Sequence, residues 1–171
     1  QMFDEAVAVT DRVSPDYIEP RILDDDERNL ADEGLGVVHI RSVYDFDGTD
    51  TSPLGNPVDT GNPILSSASD RPARFVRVEK PVSMPSEFEY DFQNSAFGRS
   101  RAQSMREILG YVPVEPDGSV KFTVPANVAF AISVLDENGR RTSQRHQNWL
   151  TVRPGESVEC VGCHTAASEV P

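Results

Sequence analysis

Basic residues are scarce in this chain, and so is every other feature that would mark a nucleic-acid or membrane protein. Lys and Arg total 16 against 28 Asp and Glu, a formal net charge of -12 across 171 residues. Neutralising phosphates takes clustered cations, so a duplex-binding surface is excluded. The acidic balance fits a solvated coat or a docking face for a cationic partner. No window approaches the roughly 18 apolar residues of a membrane helix, so no membrane span is expected. The first residues, Gln1-Met2-Phe3-Asp4-Glu5, lack the basic start and apolar stretch of a signal peptide. An exported form would have lost its signal or been cut from a longer chain. There is also no nucleophile triad, no phosphate-cradling glycine loop and no aromatic-basic strip.

What the chain does contain is modest apolar content and dispersed turn residues. Hydrophobic residues make up 37%, with 13 prolines and 11 glycines spread through the sequence. Residues 1–171 are expected to form a single domain of many short strands rather than a helical bundle. Residues 1–34 read as an acidic arm, in which 22–30 could make one short helix. Residues 36–44 and 73–79 read as strands, and 45–72, rich in Gly, Pro, Asp, Asn, Ser and Thr, as a long loop. Asp45 to Asp50 spaces carboxylates somewhat like a calcium loop but departs from its twelve-residue pattern, so an Asp-Gly turn is the plainer reading.

Ser100 to Leu109 has the spacing of a helix, with Ser100 as cap and Gly110 as stop. Residues 111–114 and 119–124 look like a hairpin around Glu115-Pro116-Asp117-Gly118, with Val120, Phe122 and Val124 on one face. A strand over 127–135 should point Val128, Phe130, Ile132 and Val134 inward, and end at the turn Asp136-Glu137-Asn138-Gly139. Trp149 to Arg153 makes a last strand. The expected class is mainly β: an antiparallel sandwich-like domain with one or two short helices and long loops.

Only two cysteines exist, and both lie in Cys160-Val161-Gly162-Cys163-His164. A C-x-x-C-H places two thiols on one tight turn, where both can bond the vinyl groups of one porphyrin, and the following His can ligate its iron. The motif predicts one covalent haem c at the C-terminal end, and with it a periplasmic or extracellular location. A structural zinc site would need a second ligand pair, for which only His39 and His146 remain. A redox dithiol would not need the adjacent His. Without haem, a Cys160–Cys163 disulfide is the alternative.

Nothing after His164 is a good iron ligand, so a sixth ligand must come from upstream, or the site is open. His146 is the first choice, one strand before the motif; His39 is the alternative distal ligand, and Met2, Met84 and Met105 follow. Trp149 could pack on the porphyrin and Arg145 and Arg153 could pair with its propionates. An ordinary core Trp and solvated arginines are the competing readings.

The stretch from about Ser95 to His164 resembles a module of large multidomain c-type cytochrome proteins related to the hydrazine synthase alpha subunit. The likeness is carried by Phe97-Gly98-Arg99-Ser100-Arg101-Ala102-Gln103, by Leu109 through Val120, by Val124-Pro125-Ala126-Asn127 and Leu135 to Gly139, and by Trp149 through the motif. Ile40 to Asp45 and Arg74 to Arg77 resemble its earlier strands. The resemblance implies a mostly β, haem-binding middle domain set beside other haem or propeller domains. In the synthase a Tyr four residues past the motif His ligates iron and that His is drawn to zinc. Ser168 stands at that place here, so His164 is expected to ligate iron. The expected function is single-electron transfer to a redox partner or neighbouring haem domain. The alternatives are a haem enzyme or sensor with an open distal face, acting on peroxide or a small nitrogen compound, and a binding sandwich whose haem is structural.

Overall fold

The computed structural model describes residues 24–83, 86, 88–90, 92, 93, 105–143, 146 and 148–164. Helix α1 (Asp25–Asp32) opens the described chain, held by a capping box. Asp24 accepts the Glu27 amide at 2.8 Å while the Glu27 carboxylate accepts the Asp24 amide at 3.2 Å. Three acidic residues in its first turn suit the positive end of the helix dipole, so the charge run in the arm favours this helix. The helix buries no residue.

Two three-stranded sheets follow. The first orders β6 (Val120–Pro125), β1 (Leu35–Ile40) and β8 (Ser157–Cys160); the second orders β5 (Met105–Pro113), β4 (Phe75–Val82) and β7 (Ala131–Leu135). A ribbon of β2 (Asp45–Phe46) and β3 (Thr49–Asp50) and a short helix α2 (Pro57–Gly61) lie between β1 and β4. Val38, Ile40, Val120, Phe122 and Val124 of one sheet share a single buried cluster with Val76, Val78 and Val134 of the other, joined by Phe130 and Val152. That common core makes the fold a mainly β, sandwich-like pair of sheets. The alternation expected at Val120, Phe122 and Val124 is strict along the strand, each buried and followed by an exposed residue. Phe130 and Val134 are buried as expected, and Ile132 packs at the edge of the core.

Several expectations are corrected. Over the described part of 100–109 there is no helix: Met105–Pro113 is a strand paired with β4 from Val82↔Met105 to Phe75↔Pro113. The helix preference of Met, Arg, Glu and Leu amounts to tenths of a kcal/mol per residue, and an eight-residue partner strand outweighs it. Ser100 lies outside the described residues. The expected hairpin is not one either. Its turn exists, with the Gly118 amide donating to Glu115 O at 2.8 Å, but β5 pairs with β4 and β6 with β1. The turn therefore passes the chain from one sheet to the other.

The long loop at 45–72 contains the β2–β3 ribbon and α2. The ribbon closes on Asp47-Gly48, both at positive φ (52° and 75°), the geometry of a two-residue Asp-Gly turn. Trp149 to Arg153 forms no regular strand: Leu150 alone bridges Phe130. The last strand is β8, and it runs parallel to β1, the one parallel pair in an otherwise antiparallel set of described sheets.

Candidate functional site

The C-x-x-C-H begins on β8 and leaves it. Cys160 closes the strand opposite Ile40. Paired residues share a face of a sheet, so Cys160 lies on the core side with Ile40 and Val120, while His39 lies on the other side with Lys121 and Glu159. Cys160 and Cys163 both pack against the edge of the core.

The motif's backbone is then fixed to the segment that follows β1. Arg41 N donates to Cys160 O at 2.8 Å and Ser42 N to Val161 O at 3.3 Å. Cys163 N donates to Asp45 O and Asp47 N to Cys163 O, at 2.8 and 2.9 Å, so β2 lines the motif. At Gly162 a Cβ would lie 2.5 Å from Asp45 O and 2.6 Å from Asp45 Cβ. Glycine is required there by close approach to the Asp45 backbone.

Both cysteines are free thiols. Burial, with Cys160 and Asp45 adding to it, pushes Cys163 up to about 11, and burial with Glu159 raises Cys160. His164 is exposed. His146 is half-buried and within electrostatic reach of both His164 and Arg106. Burial chiefly lowers its pKa; the Asn148 backbone opposes that fall, and His164 and Arg106 reinforce it. Its buried Nδ1 has no hydrogen-bond partner meeting ordinary geometry among the described residues. The imidazole is thus held neutral, the form that ligates metal.

Trp149 is half-buried under the Arg106 guanidinium, whose carbon sits 4.3 Å from the ring centroid. Arg153 is exposed at the turn preceding β8, where its amide donates to the Glu156 carboxylate at 2.7 Å. That turn is at the opposite end of the strand from Cys160. Arg145, Met2, Met84 and Ser168 lie outside the described residues. Met105 is half-buried at the start of β5, opposite Val82.

The structure therefore gathers Cys160, Cys163, His164 and His146 in one region, with Trp149 and Arg106 beside His146, and leaves His39 and Arg153 apart from it. These residues fit a c-type haem: two unbridged thiols on one turn, an exposed imidazole after them, and a second imidazole with an unsatisfied ring nitrogen. No group of three or more metal-ligating His, Cys, Asp or Glu occurs among the described residues, so a bare-ion centre has no comparable set there. Sequence reasoning offered no signal for Arg106, whose place over Trp149 depends on Met105–Pro113 being a strand. For Asp45 the Asp-Gly turn was the available clue.

Comparison with known proteins gives two findings. The family model "Hydrazine synthase alpha subunit middle domain" matches residues 69–165, more than half of the chain and including the whole motif. A solved hydrazine synthase from Kuenenia stuttgartiensis superposes with a TM-score of 0.54 at 23% identity, over 77% of this chain and 17% of that one. The chain thus corresponds to about a sixth of that protein's length. No curated protein matches.

Proposed function

The chain belongs to the hydrazine synthase alpha subunit middle-domain family, and from that premise we propose that it is a monohaem c-type module transferring single electrons outside the cytoplasm. The observation that carries this reading is the convergence of His146 on His164, beside two free thiols within the family-matched segment. Cys160 and Cys163 would hold the group by thioether bonds, and His164 would be its first axial ligand. His146 is the better candidate for the second, because His39 belongs to the opposite face of the sheet from Cys160. Once attached, a haem with two nitrogen ligands supplies one-electron chemistry and leaves no vacant position for substrate.

The module's own residues bind and tune. The β2 ribbon fixes the motif backbone, and the half-buried surroundings lower the local dielectric, which together restrict rearrangement during electron transfer. The family's name marks the relatives as one domain of one subunit, so the partner we propose is an adjoining haem domain or a separate redox protein. Among the described residues no helix is long and apolar enough to cross a membrane.

The test is production in a host with a c-type haem maturation system. Haem should stay on the polypeptide after denaturation and be lost in Cys160→Ser/Cys163→Ser. Wild type should give low-spin six-coordinate spectra in both redox states, and His146→Ala high-spin spectra with rapid cyanide binding. Polypeptide free of haem after denaturation would overturn the cofactor. A high-spin wild type that binds cyanide or nitric oxide at once would favour the open-site enzyme or sensor instead.

A further inference from the structure

Next to Trp149 lies a charged cluster that electron transfer through the haem ligands does not by itself require. Glu79 is buried on β4, next to the point where the β4–β5 register shifts between Val78 and Glu79. Its two carboxylate oxygens face Arg77 Nε at 3.1 Å and Arg106 Nη1 at 3.6 Å. The Arg106 side chain is only 9% exposed, and its guanidinium carbon lies over Trp149, 4.3 Å from the ring centroid. A cation so withdrawn from water acts over long range, because little solvent screens it. Arg106 is within electrostatic reach of His146, and so is His164.

We propose that Arg106 is the fixed cation of the haem site: clamped between Glu79 and Trp149, it positions Trp149 and His146 and biases bound iron toward its reduced state. The inference rests on the haem reading above. Its physical basis is the one unit of charge that separates ferric from ferrous iron. A nearby fixed positive charge disfavours the ferric form more than the ferrous, whatever the identity of the partner. Glu79 has a second role, holding the guanidinium against the indole and offsetting part of its field. Arg106 is a positioning and tuning residue and takes no part in bonding.

The sign of the effect separates charge from packing. Loss of packing admits water in any variant and moves the potential in one direction. Charge removal moves it in opposite directions for Arg106 and Glu79. A unit charge acting through protein of effective dielectric about 20 is worth on the order of a tenfold change in the reduced-to-oxidised ratio. That is about 59 mV for one electron.

Anaerobic redox titrations of the haem-loaded protein test this directly. Arg106→Gln is expected to lower the reduced-to-oxidised ratio at fixed poise by about tenfold. Glu79→Gln should raise it, and Arg106→Lys, which keeps the charge but not the guanidinium, should stay near wild type. If a single variant fails to fold, Glu79→Gln/Arg106→Gln serves, since a buried pair tolerates joint removal better than loss of one partner. Its ratio should still fall below wild type, because Arg106 is the charge beside His146. Equal potentials in all haem-loaded variants, or shifts of the same sign in Arg106→Gln and Glu79→Gln, would overturn the role of Arg106 and leave the haem reading standing. A wild type that never binds haem would overturn both.

Discussion

Replacing Gly162 by Ala tests whether the motif is seated on β2 in the way described. The added Cβ would lie 2.5 Å from Asp45 O, 2.6 Å from Asp45 Cβ and 3.0 Å from Asp45 C. None of these atoms is the free end of a side chain, so the backbone itself must yield. Overpacking of this kind costs about 1–3 kcal/mol. The protein's alternative is to lift the motif from the ribbon, which gives up the Cys163 N–Asp45 O and Asp47 N–Cys163 O hydrogen bonds. Each contributes roughly 0.5–1.5 kcal/mol, so lifting also costs about 1–3 kcal/mol.

The two routes differ in what they reveal. Both routes lower the urea unfolding midpoint at unchanged slope, and lifting in addition exposes Cys163 to alkylation. One of the two must occur in haem-free protein. Gly110→Ala is the control: no atom lies within 4 Å of its Cβ position, and its φ is not positive. It should be neutral or slightly stabilising, since glycine weakens a strand interior. If Gly162→Ala leaves both the midpoint, within about 0.5 kcal/mol, and the alkylation rate unchanged, the seating of the motif on Asp45 is wrong.

Two further predictions concern the same framework. Phe130 is 1% exposed at the centre of the cluster shared by both sheets, so Phe130→Ala should cost about 3–5 kcal/mol in urea unfolding; a loss below about 1 kcal/mol would mean the sheets share no core there. In haem-free protein, Cys163 titrates at about 11 instead of the ordinary 9.0. The unfolded chain therefore releases its proton first, and stability should be full below pH 9, then fall as pH rises toward 11. Urea midpoints at pH 8 and pH 10 read this, and a Cys163→Ser protein should lose the part of the slope due to the thiol; an identical slope in that variant would refute the assignment.

Three pieces of the chain were legible because their information is local. Cys160, Cys163 and His164 are recognisable from spacing alone, and the alternation of Val120, Phe122 and Val124 needs only the two-residue period of a strand. The Asp47-Gly48 turn is likewise written in its own residues, since both must take positive φ. For the same reason the mainly β class could be read before any contact was known.

Partner choice was not legible, because pairing is decided by residues far away in sequence. Met105 to Leu109 has helix-favouring side chains, yet β4 supplies an edge that only a strand can complete. The Glu115–Gly118 turn looks the same whether its flanking strands pair with each other or part into two sheets. The C-x-x-C-H itself shows this division. Its residues supply two thiols and an imidazole at fixed spacing, while the parallel pairing of β8 with β1 put Cys160 on the core face and His39 on the other. Nothing in the sequence around the motif encodes Asp45 beneath Gly162 or Arg106 held by Glu79. Those neighbours come from separate strands and loops, and packing alone brings them together.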